Sequence, residues 1–173
     1  MRNWLRLPLA ALAALVLVAV GAAATRQLAG GAVSVALAIP VIVWLGLETP
    51  VLEGAVGAFL VGVLLDGSAG GPAGLLSFLA VAGFVGVRAG AGAFDARTPL
   101  GFGLLSGAVT FGMGLGAVLL TRYVSAPEAV PALSLVGRVL VESVLTGLAA
   151  PAVRWALDRV LVPAHREQPG LLR

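Results

Sequence analysis

The chain contains no cysteine, no lysine and a single histidine, His165, in 173 residues. Without cysteine there are neither disulfides nor thiolate metal sites. The one histidine lies in a polar tail, so no Ser–His pair can form within an apolar run. Charge is also scarce: 11% of residues, against about 25% in a soluble domain. Apolar residues take its place, at 60% of the chain and a mean hydropathy of +1.06. A chain this short is mostly surface and cannot bury that much apolar area inside itself. The excess must face lipid. The composition therefore excludes a soluble enzyme, a nucleic-acid-binding module and a disordered linker. It leaves one polytopic membrane domain over 1–173, all-α in class.

The net charge is +3, carried by eleven arginines that fall mostly outside the apolar runs. Read there, they are topology signals rather than a basic patch. Transmembrane helices need about 20 mostly apolar residues. The runs predict six spans, at about 7–24, 32–47, 51–65, 74–87, 100–120 and 133–157. Pro40 and Pro151 are expected to kink the second and sixth. Residues 158–173 form a polar tail. The first run, with Arg2 and Arg6 before it and Gly21-Ala22-Ala23-Ala24 after it, also has the shape of a signal peptide. The spans that follow favour an uncleaved first helix. Strands of a membrane barrel would alternate apolar and polar residues, and these runs are continuous.

Six spans put both termini on one side. With the N-terminus cytoplasmic, eight arginines (2, 6, 88, 97, 154, 159, 166 and 173) fall inside and two (26 and 122) outside. That bias predicts an N-in, C-in protein of a cytoplasmic membrane.

Chemistry-bearing groups within the spans are few. Asp66 ends the third span, before the turn Gly67-Ser68-Ala69-Gly70-Gly71-Pro72-Ala73. Two readings stand: a simple interfacial acid, or a carboxylate accepting hydrogen bonds from free N–H groups of the turn. Arg138 and Glu142 lie four apart in the sixth span, on one helical face. They either neutralise each other or face Asp66 or a partner's helix. The Gly-rich turn lacks the G-K-[ST] ending of a phosphate loop. No second intramembrane Asp is available for an aspartyl pair, and metal ligands are missing, so no catalytic residue, metal or cofactor is expected.

Small residues, by contrast, abound. Gly103 and Gly107, then Gly112 and Gly116, form two G-x-x-x-G pairs on the fifth span. Such faces bring helices into close contact. They are expected to serve internal packing, or to dock partner helices.

One stretch carries more than composition. Residues 54–74 read GAVGAFLVGVLLDGSAGGPAG. A glycine-bearing helix ends in G-x-L-L-D, and a Gly/Ser turn leads to P-x-G at the next helix. This resembles the central pattern of MreD, the rod shape-determining membrane protein family of bacteria. The matching positions are Gly57, Gly62, Leu65, Asp66, Ser68, Pro72 and Gly74. The preceding run Ile39–Leu47, with Trp44, is similar in tone. The resemblance implies a role rather than a reaction: a non-enzymatic scaffold of the cell-wall elongation machinery. Its implied partner is the single-span protein MreC, and through it the actin-like MreB, a glycosyltransferase and a transpeptidase. Nucleic acid is not an expected partner, and self-association is left open. The same motif style occurs in substrate-binding S subunits of energy-coupling-factor vitamin transporters, whose fold MreD is thought to share. Such a subunit is the alternative reading.

Overall fold

A computed structural model describes residues 16, 35–69, 72–92, 96, 98–124 and 132–161. The expected first span and most of the tail lie outside these residues. The described part is all-helical, with five helices: α1 (Ile39–Glu48), α2 (Val51–Ala69), α3 (Leu75–Gly90), α4 (Pro99–Val124) and α5 (Ala132–Leu161).

Among the described residues, two helices are long and apolar enough to cross a membrane, Pro99–Tyr123 in α4 and Ser134–Arg159 in α5. The described helices therefore do not carry the count of six. The clearest departure is at the expected span 32–47. Residues 37 and 38 form a turn, and the helix starts only at Ile39. Pro40 sits in the first turn of α1 rather than kinking a longer helix. Proline is at home there, because the N–H it lacks would have no intrahelical partner. At 10 residues α1 rises about 15 Å, half of a ~30 Å hydrocarbon core. α3 is also short, at 16 residues. Both α2 and α5 run four residues beyond the expected ends, so Asp66 lies inside a helix and Asp158 begins no tail.

α1 is the centre of the bundle. Residues 38–46 are all buried, on every face of the helix. A helix apolar all round is stable only when wrapped by others, and α2, α3, α4 and α5 all pack on it. Leu45 meets Gly57 of α2, and Gly46 meets Val87 of α3. Ala36, just before the helix, donates its N–H to Thr146 Oγ1 of α5 at 3.1 Å. The outward faces carry large apolar side chains: Leu52, Phe78, Leu100, Leu119 and Leu148 are all exposed.

The helices alternate in direction, so the bundle has two ends. One gathers the C-termini of α1, α3 and α5 with the N-termini of α2 and α4. The other holds the α2–α3 turn. Arg154 is the organising residue of the first end. Its guanidinium donates to Ala96 O at 2.6 Å, lies 3.9 Å from Glu48 and 3.6 Å from Asp158, and covers the Phe102 ring at 5.1 Å. Asp158 also accepts the Trp44 indole N–H at 3.0 Å. Arg88 donates to Thr49 O at 2.7 Å, where the last carbonyls of α1 lack helical partners.

Candidate functional site

Gly62, Asp66, Pro72 and Gly74 gather at the α2–α3 hairpin. Gly74 is the N-cap of α3 and is left-handed, at φ 87°. Glycine fits that backbone but has no side chain with which to cap a helix. The cap comes instead from Asp66, in the last turns of α2. Its Oδ1 accepts the N–H of Leu76 at 2.8 Å, and its Oδ2 accepts the N–H of Ser77 at 3.0 Å. These are the second and third residues of α3, the donors an ordinary N-cap side chain satisfies. The Ser77 hydroxyl adds a third bond to Oδ2, at 2.5 Å. A negative charge there also meets the positive end of the α3 dipole.

Gly62 explains why Asp66 can reach. It lies one turn earlier on the same face of α2. A Cβ at Gly62 would run into the Ser77 backbone and come within 3.0 Å of Leu76 O and Ala80 Cβ. The spacing G-x-x-x-D is thus one device: glycine lets α2 touch the first turn of α3, and aspartate then ties the two together. Gly57 faces α1 instead, its Cβ position 3.0 Å from Leu45 Cδ1. Pro72 is exposed and its carbonyl accepts the Leu75 N–H at 3.2 Å, closing the turn. Gly67 faces open space. A groove of about 530 Å³ runs beside Asp66, between Phe59 and Phe78.

The G-x-x-x-G residues lie on three different surfaces. Gly103 and Gly107 face α5: their Cβ positions would lie 2.7 Å from Gly147 O and 3.1 Å from Ser143 O. Gly147 returns the contact: its Cβ position would lie 2.9 Å from Gly103 O. Pro151 has no N–H to offer the Gly147 carbonyl four residues back, and that carbonyl oxygen is the atom a Gly103 Cβ would meet first. Approaches this close favour Cα–H···O contacts. Gly116 faces Leu79 of α3, and Gly112 faces open space.

Arg138 is exposed and Glu142 half-buried, one turn apart on α5. The hydrogen-bond partners of Asp66 are in α3, not in α5. Among the described residues no three of His, Cys, Asp and Glu come together. Of the five buried hydroxyls, two bond to nearby helix backbone, Thr110 to Ser106 O and Ser143 to Leu140 O, both at 2.8 Å; Ser77 bonds Asp66, Thr146 accepts the Ala36 N–H, and Ser106 has no partner among the described residues.

Sequence reasoning missed the Arg154 cluster. Its signal was present but diffuse: Arg154 and Asp158 are spaced i,i+4, and Glu48 and Trp44 end an apolar run. It also did not single out Ser77 as the partner of Asp66. No protein-family model, no curated protein and no solved structure matches this chain.

Proposed function

We propose that the chain is a non-catalytic scaffold of a bacterial cytoplasmic membrane, of the MreD kind. In this reading six spans, with both termini inside, hold a single-span MreC-like partner and guide lateral wall synthesis. The observation that carries it is the α2–α3 hairpin. Gly62, Asp66 and Gly74, chosen from the sequence for their likeness to MreD, act together in one capped turn. A scaffold motif should do this: it fixes the shape of a surface, and its one acid is occupied in capping a helix. The interior hydroxyls support the same reading, because Thr110, Ser143 and Thr146 bond to backbone and Ser77 to the capping Asp66, so they do not converge on a shared space.

The alternative, a vitamin-binding S subunit with a related six-helix fold, calls for polar groups lining an enclosed site. The groove beside Asp66 has that acid on its wall, but the carboxylate already accepts three hydrogen bonds. The test is the Asp66→Ala variant. It should reach the membrane, yet recover less MreC-like partner in a pull-down and fail to maintain rod shape. Unchanged recovery and shape would remove Asp66, and with it the main support for this role.

A further inference from the structure

A second groove, of about 770 Å³, lies on the outer side of the α4–α5 crossing. Gly103 and Gly147 form part of its floor, and Leu104, Ala108, Phe111 and Leu148 line its walls. Almost nothing polar faces it. Along α4 it runs from Pro99 to Phe111, thirteen residues spanning about 18 Å of helix. That is close to one leaflet of a ~30 Å hydrocarbon core. The groove thus has the length of a lipid tail, not of a helix crossing both leaflets.

Its open end is not apolar. Trp155 lies seven residues beyond Leu148 on α5, and Arg159 four beyond that, continuing one stripe of the helix. Trp155 is 62% exposed, and the Arg159 guanidinium sits 4.6 Å from its ring centre. Tryptophan and arginine are the residues that settle at the headgroup level. At the same end Arg154 is engaged by two carboxylates and a carbonyl, and Arg88 by carbonyls. Arg159 makes no ion pair among the described residues, and its contact is an aromatic face.

We propose that this groove holds one acyl chain of an anionic phospholipid from the leaflet at the Arg154 end of the bundle, with Arg159, set on Trp155, binding its phosphate. The tail fills the space that glycine and proline open between two helices, and the arginine selects the headgroup.

The test uses the full chain in nanodiscs of mixed phosphatidylglycerol and phosphatidylcholine, released into mild detergent and weighed by native mass spectrometry. The wild-type protein should keep phosphatidylglycerol in preference to phosphatidylcholine. Arg159→Gln should reduce that preference about five-fold, the effect of one surface arginine on an anionic lipid. Ala108→Phe, which fills the groove, should lower retention of both lipids. Val85→Phe, on the exposed face of α3, should lower neither. Arg159 is exposed, so its variant tests the headgroup without disturbing the core. Equal retention of the two lipids by the wild type, no effect of Ala108→Phe, or a second copy of the chain bound in place of lipid would each overturn the proposal.

Discussion

Replacing Gly103 with alanine should force α4 and α5 apart. The new Cβ would stand 2.7 Å from the Gly147 carbonyl oxygen, 0.7 Å short of the 3.4 Å at which ordinary contact begins. The obstacle is backbone, so no side chain can rotate away. One turn on, Gly107 has Ser143 O at 3.1 Å, so the helices must separate along their shared face. Overpacking of this kind costs about 1–3 kcal/mol. Alanine also gains about 1 kcal/mol of helix propensity over glycine, which would mask part of the loss. Gly112→Ala supplies the control, because nothing lies within 4 Å of its Cβ position on the same helix. The difference between the two variants isolates the packing cost. Denaturation in mixed detergent micelles, followed by circular dichroism, should place Gly103→Ala about 1–3 kcal/mol below Gly112→Ala. Gly147→Ala should fall with Gly103→Ala, and the double variant should be less than additive, since one displacement relieves both contacts. Equal midpoints for Gly103→Ala and Gly112→Ala would refute the close crossing.

Asp66→Ala should lower stability by about 1–2 kcal/mol in the same assay, the range for loss of an N-cap, and Ser77→Ala, which removes one of three bonds, by less. Gly74→Ala should cost about 1 kcal/mol, because alanine resists a left-handed backbone, and the loss should persist in an Asp66→Ala background. Arg154→Met should leave Glu48 and Asp158 without their cation, and a blue-to-red shift of Trp44 fluorescence in a Trp4→Phe, Trp155→Phe background would report the loosened end. Ser106→Ala should be neutral or stabilising, since its buried hydroxyl has no partner among the described residues; a loss above about 1 kcal/mol would contradict that.

The helical class was legible in the sequence because hydropathy reports burial from water directly. The α2–α3 hairpin was legible for a different reason: G-x-x-x-D before a glycine-rich turn is local, and both helices it joins are adjacent in the chain. Span lengths were not legible. Hydropathy cannot separate a residue facing lipid from one facing other helices, so the run at 32–47 counted as a full span, although in its described part the helix begins only at Ile39 and residues 38–46 are buried by other helices. The same blindness affected the glycines. Gly103, Gly112 and Gly116 look alike in sequence, yet one touches α5, one open space and one α3. The Arg154 cluster joins residues some 50 to 110 positions apart, and no local pattern encodes such a meeting.

The scaffold reading is tested most directly by what the protein holds when it leaves the membrane. Purified from bacterial membranes in a gentle detergent, the wild-type chain should bring with it a single-span, coiled-coil protein, and Asp66→Ala should bring less. Recovery of ATPase subunits with a bound vitamin-like molecule, or turnover of any small molecule by the purified chain, would contradict it.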